Sequence, residues 1–159
     1  ELAEDETTTL AVLRNVVHEL EVREGYFCDA VMTLQPTSPM RKTAHIDEAV
    51  ALFSADPQAD SLVSCIAVPH IYHPRSVMKR DDQGYLVPYL NDSQPTRRQD
   101  KEPVFARNGA AIYITRRICL DNFVFGGRLL AYKMDERCSI DVDTEIEFER
   151  AEALMAQSI

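Results

Sequence analysis

Residues 34–41 read Leu34-Gln35-Pro36-Thr37-Ser38-Pro39-Met40-Arg41. An apolar run, Ala30-Val31-Met32-Thr33-Leu34, delivers this turn, which is crowded with hydroxyls, an amide and a guanidinium. Beyond it Ile46, Ala49, Val50 and Phe53 recur at helical spacing, and Thr43 stands where a cap belongs. The stretch therefore reads as a short buried strand, a polar corner and a helix entrance, the place where open α/β sheets bind ligands. A plain proline-rich connection is the competing reading of these residues.

Working outward, Leu10, Leu13, Val16, Val17 and Leu20 follow a three-four rhythm between Thr9 and Arg23, with Thr7 to Thr9 as caps and Gly25 as a stop. A strand over 29–35, the helix from Thr43 to about Asp56 and a strand over 61–68 form a β-α-β unit, which predicts parallel strands and a right-handed crossover. From Pro69 to Pro103 prolines and charges replace periodicity. So long an irregular stretch inside a small domain is usually functional or an interaction arm. Within it, 71–79 and 85–90 fit a hairpin around Asp81-Asp82-Gln83-Gly84. A strand over 110–115, a short helix over 116–122, a turn at Gly126-Gly127 and a last strand over 129–134 follow. The closing helix carries Ile146, Phe148, Ala151, Leu154 and Met155, and Thr144 with Glu147 has the spacing of a capping box.

The chain has 159 residues, which suits one domain with a real core. Its formal net charge of −9 argues against sequence-independent nucleic-acid binding, which requires excess Lys and Arg. Acid gathers at Glu1 to Glu6 and Glu145 to Glu152, whereas Arg75 to Arg117 is comparatively basic and fits a local anionic ligand. No apolar run has the length of a membrane span and no secretion signal is visible, so a cytoplasmic location is expected. Cys28, Cys65, Cys119 and Cys138 stand singly and read as reduced packing residues.

Two groups carry chemistry. Asp141 and Asp143 alternate with Ile140 and Val142, so in extended backbone both carboxylates point one way. That suits magnesium, which takes one or two protein carboxylates plus substrate phosphate oxygens. Equally, Asp143 could be a helix cap and Asp141 a solvated turn residue. Arg97-Arg98, Arg107 and Arg116-Arg117 form the second group, able to pair with carboxylate or phosphate or to serve as surface residues. Asn108-Gly109 permits close backbone approach to a ligand, or merely a turn. His70 and His73 lack a nearby third metal ligand. Neither a Ser-His-acid pattern nor a glycine-rich phosphate loop is visible.

Taken together, "LQPTSPMR", "RRQDKEPVFARNGAAIYITRR" and "SIDVDTEIEFERAE" resemble the acylneuraminate cytidylyltransferases, in order and over nearly the whole chain. Kdo cytidylyltransferases share that fold but lack this trio of segments. The resemblance implies a Rossmann-like α/β nucleotidyltransferase fold with a mixed, mostly parallel sheet and a dimerisation arm over 70–104. It implies transfer of CMP from CTP to a nine-carbon, sialic-acid-like sugar acid, with release of pyrophosphate, by a Mg2+-dependent homodimer. By this resemblance Gln35 contacts sugar acid or nucleotide, while Thr37, Ser38 and Arg41 shape the same pocket. Arg98 or Arg97, together with Arg107, binds carboxylate and phosphates, and Tyr113 lines the wall. Asp141 and Asp143 match the magnesium pair, and Lys79 and Arg98 reach the neighbouring subunit's site. The family opens with a strand and a Gly-, Arg-, Ser- and Lys-rich loop for the CTP triphosphate, which does not precede Glu1. A single, N-terminally truncated domain over 1–159 is therefore expected, with a catalytically silent sugar-acid-binding or dimerisation fragment as the alternative function. A third reading is an unrelated α/β binding module.

Overall fold

In the computed structural model, which describes residues 7–90 and 101–157, the Leu34–Arg41 corner joins strand β1 (Ala30–Thr33) to helix α2 (Thr43–Ala55). Helix α1 (Thr9–Glu19) precedes them, with the Thr8 hydroxyl accepting the Ala11 N–H at 3.3 Å. It runs on as one π-helical turn, Leu20–Glu24, which Gly25 ends at φ 64°. At α2 the capping expectation is corrected. Lys42, not Thr43, occupies the N-cap, and its N–H donates to Nδ1 of His45 at 3.2 Å.

The chain divides into two units, Glu1–Cys65 with Arg107–Ile159, and Ile66–Ala106. In the first, β6 (Tyr113–Arg116) lies antiparallel to β1, with Thr33 opposite Tyr113 and Ala30 opposite Arg116. The same strand is antiparallel to β2 (Ser61–Ala67), and β7 (Leu129–Lys133) is parallel to β2. Strands β1, β2 and β7 therefore share one direction, as the β-α-β reading requires. They are not simply neighbours, however, because β6 separates β1 from β2 and makes both of its own ladders antiparallel. The reason is topological: after β2 the chain makes an excursion and returns near the end of that strand, Val68 N–H donating to the Val104 carbonyl at 2.9 Å. A strand entered from that end has to run back against β2.

Side chains alternate between the two faces of the sheet. Leu62, Ile112 and Ile114 pack with Ala49 and Phe53 of α2 and with Ala59, Tyr132 and Met134. On the other cluster Val63, Ala110 and Tyr113 pack with Val124 and Phe125. Helix α3 (Glu145–Ala156) closes this unit with the expected capping box of Thr144 and Glu147.

The second unit contains β3 (Met78–Arg80) and β4 (Leu86–Pro88), the antiparallel hairpin expected around Gly84, but shorter than the strands read over 71–79 and 85–90, with a 3-10 turn at His70–Tyr72 in place of strand. The Asp81 carboxylate accepts the N–H groups of Gln83 and Tyr85, and Gly84 takes φ 92°. Strand β5 (Phe105–Arg107), which has no signal in the sequence, pairs with β2, whose last residues Ile66 and Ala67 belong to this unit. His73 is buried, its Nδ1 accepting the Arg75 N–H at 3.1 Å while Nε2 lies 2.9 Å from the Glu102 carbonyl. The segment expected as an arm, 70–104, falls in this unit.

Candidate active site

Strand direction brings the site together. The end of β1 lies beside the start of β6, and parallel β7 delivers the following segment to the same end of the sheet. At that end Gln35 N–H donates to the Ala110 carbonyl at 3.1 Å and Ser38 N–H to the Gln35 carbonyl at 3.4 Å, closing the corner. From β7 the chain passes through a 3-10 turn, Glu136–Cys138, and anchors Ile140 in the interior. Val142 N–H then donates to the Thr37 carbonyl at 2.8 Å, so the acidic segment is bonded directly to the polar corner.

Asp141 is half-buried and Asp143 exposed. Neither caps α3: Thr144 does, and Glu147 Oε2 accepts the N–H groups of Asp143 and Thr144 at 3.0 and 2.9 Å. The Thr144 hydroxyl and these two backbone donors hold the Glu147 carboxyl below the usual carboxylate range. Asp143 is thereby left without a capping role, and Asp141 lies against Gly109. A Cβ on Gly109 would come within 2.9 Å of Asp141 Oδ1 and nearer still to Cγ and Oδ2, and Gly109 also takes φ 69°. Asn108-Gly109 thus serves both readings of that dipeptide, a turn and a close approach.

Three buried polar atoms here have no hydrogen-bond partner among the described residues: Ser38 Oγ, Asn108 Oδ1 and Asp141 Oδ1. Ser38 is 1% and Asn108 5% exposed. Unsatisfied buried polar atoms are uncommon and mark places where an ion, a water or a ligand is accommodated. Among the described residues no group of three or more His, Cys, Asp and Glu is placed to hold a metal. A cation here would depend on the two aspartates plus substrate oxygens, which is a coordination magnesium accepts.

The arginines divide. Arg107 is exposed, sets its guanidinium over the Phe125 ring at 4.4 Å and donates to the Tyr113 hydroxyl at 3.2 Å. Tyr113 in turn packs against Phe125 with ring centroids 5.1 Å apart. Arg41 instead donates to the carbonyls of Gln35 and Ala111 at 3.2 and 2.7 Å, bracing the corner from behind. Arg116 donates to the carbonyls of Ala59 and Asp56, and Arg117 makes a two-point pair with Glu21. Both guanidinium groups are thus engaged by partners within the chain. Arg97 and Arg98 lie outside the described residues, and Lys79 is exposed on β3 in the second unit. Phe125 joins the site with no sequence signal, because it reaches Tyr113 only through folding.

The chain is 32% identical to an N-acylneuraminate cytidylyltransferase of Streptococcus agalactiae serotype V over 149 residues, covering 93% of this chain. Over nearly its whole length the chain resembles the acylneuraminate cytidylyltransferases. It spans about a third of that relative's length, 34%. Similarity extends to the post-translational flagellin modification protein B of Campylobacter coli, 30% identical over 98% of this chain and 65% of that protein. A CMP-N,N'-diacetyllegionaminic acid synthase of Legionella pneumophila is 29% identical over 98% of this chain and 66% of that protein. In three dimensions the chain shares the fold of CMP:2-keto-3-deoxy-manno-octonic acid synthetase complexed with CTP, with a TM-score of 0.62 and 19% identity. That match covers 98% of this chain and 70% of the other. No protein-family model matches the chain.

Proposed function

We propose that this chain provides the sugar-acid and magnesium side of a CMP transferase site, in which a sialic-acid-like sugar acid receives CMP from CTP. The observation that carries this reading is the Val142 to Thr37 hydrogen bond of 2.8 Å, which makes the acidic segment and the Gln35 corner one surface. Asp141, with an inner oxygen lacking a partner among the described residues, and exposed Asp143 fit a Mg2+ ion. When bound, the cation supplies neutralisation of charge developing on the transferring phosphoryl oxygens.

The residues do the rest. Arg107, held by Tyr113 and Phe125, offers a preoriented guanidinium to the sugar carboxylate. Gln35 and Thr37 orient the substrate at the corner, so that the sugar hydroxyl faces the α-phosphorus with its proton directed at an aspartate carboxylate. The oxygen–phosphorus bond forms, that proton passes to the carboxylate, and pyrophosphate leaves. Lys79 and Arg98 would act from a second subunit, in a homodimer and in the cytoplasm, and Arg98 or Arg97 would bind carboxylate and phosphates.

The test is pyrophosphate release from CTP and sialic acid by the protein, comparing wild type with Asp141→Asn. Loss of at least a hundredfold in turnover is expected, and unchanged turnover removes Asp141 from the mechanism. Calorimetry with each substrate separately tests the alternative of a catalytically silent fragment. Sugar binding without nucleotide binding would favour it.

A further inference from the structure

We infer that Asn108 is a positioning residue for Asp141, acting through Ser139 and resting on the proposed magnesium site. The Asn108 side-chain amide is buried, and its Nδ2 donates to Ser139 Oγ at 2.8 Å and approaches Met134 Sδ at 3.4 Å. The Ser139 hydroxyl donates in turn to the Asp135 carbonyl at 2.7 Å, so the amide is tied into the turn that precedes the aspartate. Two residues later the chain reaches Asp141, and one residue after that Val142 is bonded to Thr37. The aspartate is thus bracketed. Asn108 holds the backbone before it, Thr37 holds the backbone after it, and Gly109 provides a floor without a Cβ for the carboxylate.

A loose aspartate samples several rotamers, and a cation then has to select one of them. A bracketed aspartate already presents one. Outer partners that orient a ligating carboxylate change metal affinity by roughly 10- to 100-fold when removed. Asn108 adds a second contribution, because its Oδ1 has no partner among the described residues and stands as an acceptor for a hydrogen-bond donor such as water. Asparagine fits both tasks, since one side chain offers donor and acceptor at a fixed separation. Leucine of similar volume offers neither.

The experiment is Mn2+ titration of this chain, followed by electron paramagnetic resonance of the free ion, with circular dichroism as the measure of folding. Asn108→Ala and Ser139→Ala are each expected to weaken Mn2+ binding about tenfold. The double variant should be no weaker than Asn108→Ala alone, because both act through one link. Asp141→Asn is the control for the site itself. If it loses binding while folded Asn108→Ala and Ser139→Ala keep wild-type affinity, the positioning role is overturned and the proposed function stands. If Asp141→Asn binds as wild type does, or the wild type binds no Mn2+, the magnesium reading falls and this inference with it. Should Asn108→Ala fail to fold, Ser139→Ala, at a partly exposed position, decides.

Discussion

Arg41, Arg107, Arg116 and Arg117 carry the same charged fork and do different work, and only their partners distinguish them. Three of them donate to backbone carbonyls or to Glu21, whereas Arg107 has no carboxylate partner among the described residues. Arg41→Ala should therefore cost stability, about 2 kcal/mol by urea melting, because two carbonyl acceptors lose a charged donor. Arg107→Ala should cost about 1 kcal/mol or less in the same melt, the contribution of an exposed cation over an aromatic ring. It should weaken sugar-acid binding measured by calorimetry. Gly109 is constrained twice, by its positive φ and by the Asp141 carboxylate against its Cα. Gly109→Ala is expected to destabilise the fold by more than about 1 kcal/mol and to displace Asp141, visible as a lower melting temperature together with weaker Mn2+ binding.

Among the elements, α3 is held at its first turn more than along its length. Ala151 is buried, but Ile146 is 78% exposed and Phe148 and Met155 are also open. Its start therefore matters to stability, and Thr144→Ala should remove about 1 kcal/mol. The partner carboxyl gives a pH signature with a definite sign. Glu147 is held below its ordinary value, so its contribution is present above the ordinary carboxylate range and is lost as pH falls through the lowered value. Helical ellipticity of the wild type should fall over that acid window, and Glu147→Gln should flatten the dependence. The central strands behave otherwise, since β2 and β6 are buried on both faces. Leu62, with no exposed surface, packs between α2 and the sheet, and Leu62→Ala should cost about 3 kcal/mol by thermal melting. In the excursion, His73 ties its own loop to Glu102 through one ring, so His73→Ala should lower protection of amides near Arg75 in hydrogen exchange.

At the scale of the molecule, the net charge of −9 surrounds a site proposed to take an anion, so the local guanidinium would have to outweigh the general field. Raising ionic strength should therefore weaken sugar-acid binding less than it would for a basic protein. Light scattering should report a dimer, and a clean monomer would count against the arm reading of 70–104. Much of the architecture was legible in the chain itself. The helices, the corner at Gln35–Arg41, the Thr144–Glu147 box and the hairpin around Gly84 depend on side-chain periodicity and on hydrogen bonds across three or four residues. Such interactions are written in adjacent letters. The order of the ladders was not legible, because β6 enters between β1 and β2 according to where a long excursion returns, and no local pattern records that point. Nor were the fates of the arginines or the link from Asn108 to Ser139, whose partners lie 31 residues apart. Short-range preferences thus determined which elements exist. Tertiary folding decided which side chains meet, since contacts between distant segments arise only when the sheet sets strand order and direction.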